Sequence, residues 1–147
     1  MHSPLIAGFL LALLAASGAS AQEWAGTVKT VSGSVSVERS GKALPVALAD
    51  RVFPGDRLLT GPDGRVGVTL RDDSRLASGP NSQLTIGEFS FDASRQEGKL
   101  AISVLRGTTA FISGLLAKSS PEAMRVSTPT AVIGIRGTEF IVEVEGE

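Results

Sequence analysis

Residues 61–81, GPDGRVGVTLRDDSRLASGPN, decide the fold. Val66, Val68 and Leu70 alternate with Arg65, Gly67 and Thr69, the period of a strand with one buried face. Gly61-Pro62-Asp63-Gly64 and Asp72-Asp73-Ser74 close that run at its two ends, and a further turn, Gly79-Pro80-Asn81, follows soon after. The same alternation continues on both sides. Val35 and Val37 carry it before Ser40-Gly41, then Leu84 with Ile86, Phe89 with Phe91, and Leu100, Ile102 and Val104. Phe140, Val142 and Val144 carry it at the end, between Glu139, Glu143 and Glu145. Helical periodicity is hard to find. The expectation is an all-β chain of many short strands, in a compact sandwich or a short solenoid-like β arrangement.

Two internal echoes favour coiling. Leu59-Thr60-Gly61-Pro62-Asp63 resembles Ala77-Ser78-Gly79-Pro80-Asn81, and Arg106-Gly107-Thr108-Thr109-Ala110-Phe111 resembles Arg136-Gly137-Thr138-Glu139-Phe140. Repeated strand-turn units suit rungs that cover one another. The longest interruption, Ser113 to Glu122, reads as a mobile loop with at most one helical turn.

The first 21 residues, MHSPLIAGFLLALLAASGASA, read as a cleavable secretory signal. The apolar run Leu5–Ala16 is too short to cross a bilayer, and Ala19-Ser20-Ala21 offers a small-x-small cleavage pattern. Its n-region carries no Lys or Arg. Removing 21 of the 147 residues leaves 126, the size of one domain. The expected product, residues 22–147, has no later span for a membrane and resides in the periplasm or is secreted.

Composition excludes whole classes of chemistry. All 14 Lys+Arg and all 15 Asp+Glu lie beyond the signal, so no basic excess is available to grip nucleic acid. The only His is His2 and there is no Cys, which removes a His general base, a Cys nucleophile and His/Cys metal ligation from the mature protein. Asp63, Asp72 and Asp73 are the remaining carboxylates of interest, with Asp72-Asp73 read as an exposed hairpin tip. Lys118 beside Ser119 and Ser120 is no positioned dyad. The chain is therefore expected not to be an enzyme and to use no cofactor or metal.

Gly55 and Asp56, after Pro54, read as turn chemistry, and a calcium loop would need more spaced oxygens. Thr128-Pro129 ahead of Arg136-Gly137-Thr138-Glu139-Phe140 is the most distinctive segment. There Gly137 allows close backbone approach, Phe140 is an apolar anchor and Arg136 has the means to pair with a carboxylate. Trp24 should staple the first strand to the core. Ile141, outward on an acidic last strand, and Ser119 in the loop are candidates for a partner surface.

Gly26-Thr27-Val28, Val35-Ser36-Val37-Glu38-Arg39, Val52-Phe53-Pro54-Gly55-Asp56-Arg57-Leu58-Leu59-Thr60-Gly61, Leu70-Arg71-Asp72-Asp73-Ser74 and Thr128-Pro129-Thr130-Ala131-Val132 before Arg136-Gly137-Thr138-Glu139-Phe140 occur in that order. Together they resemble the periplasmic domain of the FecR family, the ferric citrate regulators. The resemblance implies an all-β, non-enzymatic domain that works by protein contact. In those regulators it senses a transporter's signalling domain and reports through an inner-membrane helix to a cytoplasmic anti-sigma segment. Here a cleavable signal stands in place of both, and Asp73 stands where the family more often has Gly. The expected role is a protein-interaction module in envelope signalling or assembly, with an envelope or membrane protein as partner. The competing role is a secreted cell-wall or polysaccharide-binding module, disfavoured by one Trp and no Tyr.

Overall fold

The computed structural model describes residues 23–134 and 139–145. Twelve strands are ordered β1 (Gly26–Ser32), β2 (Val35–Arg39), β3 (Lys42–Pro45), β4 (Arg51–Val52), β5 (Arg57–Thr60), β6 (Arg65–Leu70), β7 (Arg75–Ser78), β8 (Gln83–Asp92), β9 (Glu97–Ile112), β10 (Met124–Ser127), β11 (Val132–Gly134) and β12 (Glu139–Val144). One short helix, α1 (Leu115–Ser119), and a turn of 3-10 helix at Pro121–Ala123 separate β9 from β10.

The strands form one sheet folded back on itself through β9. Residues 97–106 of β9 pair with β8, and residues 100–103 also pair with β10, the latter in parallel. Residues 109–112 pair with β7, and residues 107–112 with β12. One half therefore runs β4-β1-β6-β7-β9-β12 and the other β3-β2-β5-β8-β9-β10-β11. Alternation along each strand sends one row of side chains inward. Val28, Val68, Leu70, Leu76 and Phe111 from the first half meet Leu58, Leu84, Ile86, Leu100, Ile102 and Val126 from the second in a single buried core. Both expected architectures hold at once: a sandwich by packing, a coil by path.

The coil is made by corners. Among the crossings from one half to the other are those at Gly33, between β5 and β6, between β7 and β8, and within β9 at Gly107. Backbone bonds stack these corners on one another. Gly61 N–H donates to the Ser34 carbonyl at 2.9 Å, Asn81 N–H to the Gly61 carbonyl at 3.1 Å, and Gly79 N–H to the Thr108 carbonyl at 3.0 Å. Side chains reinforce the stack: Thr60 Oγ1 donates to the Gly79 carbonyl at 2.6 Å and accepts from Ser82 N–H at 2.8 Å. Ser34 N–H donates to Asp63 Oδ1 and holds that carboxyl below the usual carboxylate range. The echo between residues 59–63 and 77–81 is thus a repeated corner. The second echo meets itself, since Phe111 lies opposite Phe140 and their rings stack at 5.2 Å.

Asp72 corrects the expectation of an exposed tip. It is fully buried, and Asp73 occupies the tip alone. The Asp72 carboxylate accepts from Ser74 N–H at 3.1 Å, Ser74 Oγ at 2.7 Å and Leu116 N–H at 3.4 Å. Its carbonyl takes Leu115 N–H at 2.7 Å. The one helical turn allowed in this segment is present as α1, docked with Leu116 buried in the core. Asp72→Ala should strand these buried donors, cost about 2 kcal/mol, and speed amide exchange in α1 ahead of the strands. Asp73 lies at φ 69°, a conformation that favours glycine. Asp73→Gly should raise stability by about 0.5 kcal/mol and Asp73→Val lower it by about 1 kcal/mol or more, read from urea midpoints.

Candidate interaction surface

At the corner before β5, Pro54-Gly55 forms a type II turn with Gly55 at φ 90°. Asp56 N–H donates to the Phe53 carbonyl at 3.0 Å, and Asp56 Oδ2 accepts from Phe53 N–H at 2.9 Å. The same carboxylate, 1% exposed, receives a two-pronged bond from Arg39, Nε to Oδ1 at 2.9 Å and Nη2 to Oδ2 at 2.8 Å. Arg39 also lies over the Phe53 ring at 4.7 Å and reaches the Arg51 carbonyl at 3.3 Å. The bond to Asp56 raises the Arg39 pKa above its ordinary value. Turn chemistry at Asp56 was legible in the sequence; its arginine was not.

Trp24 is half-buried and has two guanidinium groups over its ring, Arg51 at 4.8 Å and Arg71 at 5.6 Å from the ring centre. Arg71 Nε donates to the Trp24 carbonyl at 2.6 Å, tying the start of the domain to the end of β6. The tie runs through the Trp24 backbone carbonyl, and the ring rests on the two arginines instead of stapling the strand to the core.

Thr60 and Gly61 belong to the corner stack described above. Thr128 and Pro129 begin the β10–β11 turn: Thr128 N–H donates to the Ala131 carbonyl at 2.8 Å, and Thr128 Oγ1 accepts from Ala131 N–H at 3.1 Å. Phe140 packs inward against Phe111. Arg136, Gly137 and Thr138 lie outside the described residues. The motif residues that are described all hold turns or core contacts.

The two candidate surface residues lie apart. Ile141 is 68% exposed on β12, opposite Ala110. Ser119 is exposed at the end of α1, where its Oγ donates to the Leu115 and Gln96 carbonyls near the opposite end of β9. They do not form one patch. Exposed aliphatics also occur on other C-terminal strands: Val132 and Ile133 on β11 and Leu105 on β9. Sequence reading missed the β11 pair, although Val132-Ile133 between Thr130 and Gly134 is an apolar run on a strand too short to bury it.

Among the described residues no group of three His, Cys, Asp or Glu side chains could hold a metal ion. No helix among them is long and apolar enough to cross a membrane.

Residues 56–147 match the profile of the FecR protein family, well over half of the chain. The chain belongs to the FecR family. The matched FecR segment starts at the buried Asp56 and runs through the last strand. Residues before it complete the same fold, since β1 pairs with β6 and β2 with β5, and Arg39 supplies the partner of Asp56. No curated protein matches. A solved structure described as a cell surface anchoring domain is similar over 42% of this FecR chain and 82% of its own, at 29% identity and a TM-score of 0.40.

Proposed function

We propose that this FecR domain is an exported, non-catalytic interaction module that binds an envelope or membrane protein in signalling or assembly. Family membership carries the reading, and the fate of the carboxylates supports it. Asp56 is committed to Arg39 and Asp72 to the docking of α1, while Asp63 braces a corner. The Ser119 hydroxyl is engaged with backbone carbonyls rather than with Lys118. Cleavage after Ala21 would deliver residues 22–147 as a single domain to the periplasm or beyond; a mature protein whose mass begins at Gln22 is the expected result. The wall-binding role gains nothing from Trp24, whose ring is already covered by Arg51 and Arg71.

Photo-crosslinking in cells from positions 141 and 119 tests the module. A discrete envelope protein captured from position 141 supports the reading. Capture of wall material alone, or of nothing above background, counts against it.

A further inference from the structure

Resting on that reading, we infer that the free edge of β12 takes up an extended segment of a partner in which outward Lys or Arg side chains alternate with inward aliphatic ones. One edge of β12 is occupied by β9, in register from Glu139 opposite Ile112 to Val144 opposite Gly107. Among the described residues no strand occupies its other edge. An edge strand in this state offers a row of backbone donors and acceptors for strand addition.

The side chains on that edge say which segment fits. Successive residues of a strand point to opposite faces, so Glu139, Ile141 and Glu143 share the outer face, and all three are exposed. Glu145 follows in phase and is exposed as well. None of these glutamates makes an ion pair among the described residues. The whole chain carries a formal charge of only −1, so this row is a local concentration. Ile141 stands among the acids beside Ala110, whose methyl is too short to cover it. The inner row is also incomplete: Phe140 and Val144 pack on the core yet stay half-exposed, as on a rung awaiting the next.

A second copy is a poor occupant. An antiparallel pair of β12 strands centred on Ile141 sets Glu139 opposite Glu143, and one centred on Val142 sets Glu139 opposite Glu145. Parallel in-register pairing sets each glutamate beside its twin. Like charges directly opposite are destabilising, whereas Lys or Arg in those places is favourable. At the C-terminal end of β12 lies a groove of about 550 Å³ lined by Leu105, Arg106, Pro129, Glu143 and Glu145 among others.

The test uses the whole chain and three synthetic peptides of one length: alternating Lys-Val, alternating Glu-Val, and the Lys-Val composition with prolines placed within it. Fluorescence anisotropy should show saturable binding of the Lys-Val peptide alone, weakening as salt is raised. Hydrogen exchange should slow in β12 on binding. The exposed substitutions Glu143→Lys and Glu145→Lys together should lower affinity for the Lys-Val peptide at least tenfold and raise it for the Glu-Val peptide, with the urea midpoint unchanged. Equal binding of all peptides, no binding, or protection elsewhere than β12 overturns the inference. If crosslinking from position 141 captures an envelope protein while the peptides fail, the edge chemistry is wrong and the module reading stands. If the peptides bind but no envelope protein is captured, the reverse holds.

Discussion

Gly107→Ala should cost about 4 kcal/mol of folding stability. Gly107 is the point at which β9 passes from one half of the sheet to the other, at φ 82°. A methyl group there would lie 2.1 Å from Ser82 Oγ and 2.5 Å from Ser82 Cα. The hydroxyl could rotate away; the backbone carbon is held by the Thr60–Ser82 bond of the adjacent corner. Left-handed backbone alone costs an alanine about 1 kcal/mol and the steric overlap about 3 kcal/mol more. That total is a large share of the roughly 5–15 kcal/mol that holds a domain folded. Far-ultraviolet circular dichroism and gel filtration of the purified variant would decide. A cooperative thermal transition within a few degrees of the parent would show that the corner yields.

The second large effect is expected at Asp56. Asp56→Ala leaves Phe53 N–H without its acceptor and Arg39 without its anion, and should cost about 3–5 kcal/mol. Arg39→Ala should cost nearly as much by leaving a buried carboxylate with only its turn donor. Replacing both, as Arg39→Met with Asp56→Leu, should recover a large part of the loss. Urea unfolding followed by Trp24 emission measures all three, because Arg39 touches the Arg51 backbone and Arg51 covers the indole. The Arg39 pKa is raised in the folded state, so its contribution is complete below its ordinary pKa and is lost only as pH rises through the raised folded value. Between pH 5 and 9 the cost of Arg39→Ala should therefore stay constant.

Strand periodicity and the Gly-Pro turns made the all-β class legible, because alternation and backbone-restricted residues are local properties. The rows Val66-Val68-Leu70 and Leu100-Ile102-Val104 are buried as their spacing implied. The echo of residues 59–63 in 77–81 pointed to coiling for a sound reason, since each copy is a corner and corners stack. What stayed hidden was pairing at a distance. Asp72 looked exposed because its neighbours Arg71, Asp73 and Ser74 are polar. It is buried because Leu115 and Leu116, far along the chain, bring a helix end down onto it. Arg39 and Asp56 are 17 residues apart with nothing local to couple them. On the candidate surface, Ile141 was legible as an outward residue of an amphipathic strand. Its separation from Ser119 was not, since it follows from the length of β9.

That length has a mechanical consequence. β9 is paired to β12 through six opposed residues from Glu139 to Val144. A pull along β12 loads those pairs in shear, all together, instead of unzipping them one by one. The load then enters a strand whose other end is clamped on both sides by β8 and β10 in the opposite half. Between the halves this path passes through Gly107, beside which Thr108 N–H donates to Ser82 Oγ at 3.1 Å. Tension received at the acidic edge would reach the far end of the molecule with the body still intact, as through a rod.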